Sequence, residues 1–180
     1  MSAFRRVLVL GLVCVGPLVS AQESDVASAV QVLGPQWKQI SRAAGMVFAG
    51  TVLNTKTIPP GSGNPVPVIQ TKFHVDRAIV GVRAGQVLVI REWAGTWSTA
   101  HPTNPGQRIL VFLYPPSRLG LTSAVGGPLG QVALDANGEI AVPRAWINQS
   151  SHASKTPLPS PGSHITLQQL ERAVRGARKE

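Results

Sequence analysis

Between Met46 and Val142 the sequence is a series of short runs of β-forming residues cut apart by glycine and proline. This punctuation limits the fold more than any other feature. The runs are MVFAGTVL, VIQTKFHVDRAIVG, QVLVIREW, RILVFLY and GQVALDANGEIAV. They are rich in β-formers, alternate where one face is polar, and lie between Gly, Pro, Asn and Asp, which reads as strands and turns. With 18 Gly and 15 Pro in 180 residues, a helix-dominated chain is excluded, while 43% apolar residues exclude wholesale disorder. In the second run Phe73 and Val75 share one face, and Lys72, His74 and Asp76 the other. The alternation fails over Arg77–Val80, which predicts a bulge or a strand end before Gly81. The third strand is predicted over Gln86–Trp93. The fourth, Arg108–Tyr114, is stopped by Pro115-Pro116. The last run is a hairpin turning at Asp135-Ala136-Asn137-Gly138.

Helices flank this β region. Pro35 opens a helical turn in which Trp37, Ile40 and Ala44 recur on one face, with Gly45 ending it. Near the other end Thr166 and Gln169 fit a capping box, and Ile165 is placed to staple onto Leu170. Leu167, Leu170, Val174 and Ala177 form an apolar face, with Arg172, Arg175 and Lys179 opposite. A helix of that length is marginal alone in water, so docking on the β region is expected. The chain is therefore read as mainly β: a small five- to six-stranded antiparallel OB-like barrel, closed or partly closed, with a short N-terminal helix and a docked C-terminal helix. An open sandwich and an α+β sheet are the alternatives.

Met1–Ala21 carries the three parts of a secretion signal. Arg5-Arg6 is the charged start, Val7–Val15 the apolar run, and Val19-Ser20-Ala21 the small-residue cleavage site. Residues 22–34 are a lead-in, 35–147 the β domain, 148–162 a Ser/Pro-rich tether and 163–180 the terminal helix. Cys14, the only cysteine, lies within the signal, so the exported part would hold no disulfide and no thiolate. This pattern places the protein in a bacterial periplasm or outside the cell. No transmembrane segment is expected after cleavage.

The order AAGMVFAGTVL, TKFHVDRAIVG, GQRILVFLYP and VGGPLGQVALDANGEIAV resembles a group of exported bacterial proteins. Those proteins are expected to share the OB-like barrel of tissue inhibitors of metalloproteinases and netrin-type modules. The resemblance rests on Val47–Val52, Phe73–Gly81, Gly106–Leu113 and Gly126–Gly130 and covers roughly residues 35–142. It implies a fold and not a function. Metalloproteinase inhibitors of that fold place an N-terminal cysteine on the target's zinc, and an exported chain beginning at Gln22 has none.

Candidate chemistry is sparse. Of eight acidic residues, only Asp76 and Glu92 fall on central strands. His74 and Asp76, two apart on a strand, share a face as a metal-binding or acid–base pair would. The alternative is an ordinary solvated strand face. No HExxH, GxSxG or phosphate-binding glycine loop occurs. VGGPLG reads as a turn needing unusual φ, because Pro128 removes an N–H donor. The formal charge of +9 favours anionic partners such as lipid headgroups or other envelope polyanions. The basic residues are scattered, and no specific nucleic-acid partner is expected. The leading expectation is an exported, non-enzymatic module that binds a protein or anionic envelope component through Trp93, Trp97 and His101. It would need no catalytic residue, metal or cofactor. A metal-dependent or hydrolytic enzyme using His74, Asp76 and Glu92 is the second expectation, and a protease-inhibitor-like protein the third.

Overall fold

The computed structural model describes residues 37–61, 65–95, 103–140 and 165–179. The signal, the lead-in, Pro35, the tether, Trp97 and His101 lie outside these residues. The element order is α1 (Trp37–Ala43), β1 (Met46–Ile58), β2 (Val68–Val80), β3 (Val87–Trp93), β4 (Arg108–Leu113), a 3-10 turn (Gly127–Gly130), β5 (Gln131–Ala133) and α2 (Leu167–Ala177). The strands form one five-stranded sheet in the order β3-β2-β1-β4-β5. Every pairing between neighbours is antiparallel.

β4 is an interior apolar strand between β1 and β5, and its unbroken ILVFL run has a simple cause: both faces are covered. Leu110 and Phe112 enter one cluster with Trp37, Ile40, Ala44, Leu170, Val174 and Ala177. Ile109, Val111 and Leu113 enter a second with Phe48, Val52, Phe73, Val75 and Ile90. A strand buried on both sides loses the polar alternation that marks a half-exposed one. The helices therefore cover one face, and the sheet curls around the other. Within the curl Phe48 meets Phe73 edge-on, with ring centroids 5.5 Å apart.

The failed alternation in β2 is a pair of bulges. The register passes from Val47↔Val80 to Phe48↔Ala78 and from Ala49↔Arg77 to Gly50↔Val75, leaving Ile79 and Asp76 without partners on β1. An extra residue reverses which face the following side chains occupy. Phe73 and Val75 thus point into the curl, whereas Ile79 joins the helix-covered cluster. A third shift in register at Leu53 lets β1 continue as a long ribbon paired with β2 out to Ile58↔Val68.

Among the described residues a closed barrel is not reached: the five-stranded sheet is open, and β3 and β5 are its edges. β5 has only three residues, too few to span to the far edge. The segment before it, expected as plain loop, contributes instead. The Thr122 N–H donates to the Arg91 carbonyl (2.9 Å), the Tyr114 N–H to the Ser123 carbonyl (3.0 Å) and the Thr122 hydroxyl to the Tyr114 carbonyl (2.6 Å). In VGGPLG, Gly126 and Gly127 adopt positive φ (71° and 63°), as expected of a turn closed to side-chain-bearing residues. The hairpin turns at Asp135–Gly138, where the Asp135 carboxylate accepts from the N–H groups of Asn137 and Glu139.

The helices match their sequence signals. Trp37, Ile40 and Ala44 are all buried, and Thr166 and Gln169 form the reciprocal capping box of α2. The two C-terminal ends are also tied to each other. Arg42 Nε donates to the Ala177 carbonyl (2.9 Å), and Arg178 Nη1 donates to the carbonyls of Ser41 (2.6 Å) and Ala44 (2.8 Å). Each cation thus satisfies carbonyls that the other helix end leaves open and complements its dipole. Arg178→Ala is expected to cost about 1–3 kcal/mol, read as a lower thermal unfolding midpoint, with Arg178→Lys recovering part of the loss.

Candidate functional site

The helices cover only part of their face of the sheet. Beyond them the surface of β4, β1, β2 and β3 carries Arg108, Thr51, Asp76 and His74, then Lys72 and the outward row Val87, Val89, Arg91 and Trp93. The register fixes this order: Thr51 pairs with both Arg108 and His74, His74 with Val87, Lys72 with Val89 and Gln70 with Arg91.

Asp76 is the hub of the polar half. As a bulged residue it is re-aimed, and its carboxylate collects three neighbours. The Thr51 hydroxyl donates to Oδ2 (2.8 Å), His74 Nδ1 lies 2.9 Å from Oδ1, and Arg108 Nε lies 3.8 Å from Oδ2. A carboxylate oxygen accepts in such a contact, which makes Nδ1 the donor in the tautomer that satisfies it. Arg108 is held in addition by the Ala136 carbonyl at 3.4 Å. At the border with α2, Arg77 pairs with Glu171 at 2.7 Å, and Glu171 also pairs with Arg175 at 2.8 Å.

The sequence thus named His74 and Asp76 correctly as one constellation but missed Thr51 and Arg108. They are distant in the chain, and only the β4-β1-β2 register brings them to the same spot. Glu92 does not join them. On β3 the residues Leu88 and Ile90 face the curl, and Glu92 continues that alternation, buried at 6% exposure. It lies on the opposite face of the sheet from His74. Its cross-strand partner is Ile69, and two residues further along β2 the Thr71 hydroxyl lies 3.5 Å from that of Thr55, which donates to the Thr103 carbonyl (3.2 Å).

An imidazole oriented by a carboxylate is half of a relay. Nucleophilic catalysis also needs a hydroxyl or thiol on the other ring nitrogen. Thr51 instead gives its proton to Asp76, and among the described residues no hydroxyl is bonded to His74. Among the described residues there is also no group of three or more His, Cys, Asp or Glu side chains placed to hold a metal ion.

The apolar half is more unusual. Val87, Val89 and Trp93 are 57%, 41% and 47% exposed, all on the outward face of an edge strand. Trp93 continues straight into Gly95, whose Cα lies so close to the indole that an added Cβ would sit 2.5–2.8 Å from the ring. The ring is therefore held in place by the backbone it covers. Among the described residues no helix is long and apolar enough to cross a membrane. Comparison with protein-family models, curated proteins and solved structures returns no match.

Proposed function

We propose that the chain is an exported, non-enzymatic β module that binds a protein or an anionic envelope component through the outer face of β3 around Trp93. The carrying observation is the outward row Val87, Val89, Arg91, Trp93, in which three exposed apolar side chains share one strand face with Arg91 and lie beside Lys72. Isolated exposed apolar residues are ordinary on a protein surface, whereas grouped ones mark contact surfaces. Aromatic anchors fixed in position supply much of the energy at such sites. Trp97 and His101, expected from the sequence to act with Trp93, lie outside the described residues.

The reading includes an OB-like barrel as the scaffold. Three features support it: a long first strand bent by bulges, a curl filled by Phe48, Phe73 and Val111, and the parallel bridge between Glu92 and Thr122. That bridge lies where an OB-like barrel would close. Export rests on the signal-like first 21 residues.

The test is retention of the purified protein on three immobilised envelope fractions: anionic lipid vesicles, cell-wall glycan and outer-surface protein. Trp93→Ala is expected to lower recovery on one of them by about tenfold, with an unchanged unfolding midpoint. Equal recovery of wild type and variant on all three would remove this face from consideration.

A further inference from the structure

We propose that β3 is a strand-addition site, at which an extended, acidic segment of a partner protein pairs with the free edge of the strand at Val87–Ile90. This inference rests on the binding-module reading and names the partner class and the mode of contact.

The backbone direction comes first. Arg91 turns its carbonyl away from β2, since that oxygen accepts from the Thr122 N–H. Peptide groups alternate in direction along a strand, so Val89 and Val87 also aim their N–H and C=O groups at the free edge. Among the described residues the bridge to this edge is confined to Glu92, and no strand pairs with β3 opposite β2. The edge is thus sealed at one end by Thr122 and open over the preceding four residues.

The side chains point the same way. Edge strands are commonly protected by a bulge, a proline or a lysine in the row. β3 pairs with β2 without a register shift, and Val87–Ile90 carries neither proline nor charge. Instead it presents Val87 and Val89 outward. An added strand would cover both and complete the row that ends at Trp93.

Charge selects the occupant. Lys72 stands across from Val89, and Lys56 stands across from Gln70. Both lysines are exposed, and among the described residues no acidic side chain is paired with them on this part of the face. Asp76 is committed to Thr51, His74 and Arg108, and Glu92 faces the curl. The local field therefore favours carboxylates on the incoming segment. A second copy of the chain fits worse, because the sequence is strongly basic, with 17 Lys+Arg against 8 Asp+Glu, and two copies repel. Main-chain pairing would supply affinity, and the apolar and acidic side chains selectivity.

The probe is the end-blocked peptide Glu-Thr-Val-Thr-Val-Thr-Glu, which places its two valines and two glutamates on one face when extended. It is titrated into the purified protein and followed by amide NMR. The expected result is shifts centred on Val87–Ile90, with slowed hydrogen exchange at the Val87 and Val89 N–H groups. Replacing both glutamates by lysine, or N-methylating the edge-facing amides, is expected to weaken binding roughly tenfold or more. Val89→Glu, which sets a carboxylate beside Lys72 and against the peptide's glutamates, is expected to do the same with its other amide shifts intact, since position 89 is exposed.

Shifts centred elsewhere, or equal affinity for the lysine or N-methylated peptide, would overturn strand addition. So would concentration-dependent pairing of the protein with itself through β3, which assigns the edge to a second copy. If the peptide fails while Trp93→Ala still lowers envelope recovery, strand addition falls and the binding-module reading stands. If Trp93→Ala is silent while the peptide binds at β3, the envelope reading falls instead.

Discussion

Trp37→Ala is expected to lower the unfolding free energy by about 3–5 kcal/mol, the usual cost of truncating a buried large aromatic side chain. Trp37 is 1% exposed and opens α1, a helix of seven residues. So short a helix has no stability of its own and exists through packing. Its indole shares one cluster with Ile40, Val47, Leu110, Phe112 and Leu170, so the vacated volume would be lined by residues of two strands and both helices. Domains of this size are stable by only about 5–15 kcal/mol, so the loss is a large fraction of the total. Thermal unfolding followed by circular dichroism should show a midpoint lower by roughly 10 °C. A drop of less than about 3 °C would mean that α1 is not an integral part of the core.

Gly81→Ala is the second large effect, and its partner experiment is Gly85→Ala. Both glycines have positive φ, 70° and 76°, so both substitutions carry the left-handed penalty of about 1–2 kcal/mol. They differ in surroundings. A Cβ at Gly85 meets nothing within 4 Å, whereas one at Gly81 falls on the Gly45 carbonyl oxygen. Gly45 cannot retreat, because its N–H is bonded to the Leu113 carbonyl at 2.8 Å and its Cα is pressed against Pro115. Gly81→Ala is therefore expected to cost about 3 kcal/mol or more, and Gly85→Ala about half of that or less. Urea unfolding of the two variants separates conformational strain from collision. Equal losses would show that Gly45 yields.

What the sequence made legible was local. The helical face of Trp37, Ile40 and Ala44, the capping box of Thr166 and Gln169, the turn at Asp135–Gly138 and the runs that became β1 to β4 all depend on residues a few positions apart. Even the irregularity in β2 was visible as a failure of alternation at Arg77. Its consequence was not visible, because the effect of a bulge on facing is defined only against the partner strand. Pairing to β1 is what turned Asp76 toward Thr51 and Arg108 and sent Ile79 to the helix side. Glu92 shows the same limit. Both it and Asp76 are carboxylates on strands, and the sequence reads both strands as central, yet β3 is an edge and the alternation set by Leu88 and Ile90 places the two on opposite faces. Closure of the sheet was the least readable feature. It depends on how far strands coil and on what a segment such as Leu121–Ala124 does at the rim, neither of which leaves a periodic trace. For Val87 and Val89, an apolar run is the same whether it is buried on both sides or open on one, and only the sheet order distinguishes the two.

The reciprocal arginine ties between α1 and α2 join residues more than 130 positions apart: Arg42 to Ala177, and Arg178 to Ser41 and Ala44. In a chain made from its amino end α2 follows every strand, so the patch of sheet that it covers stays uncovered until residues 167–177 have been added, and the two arginine ties can close only after the strands are complete.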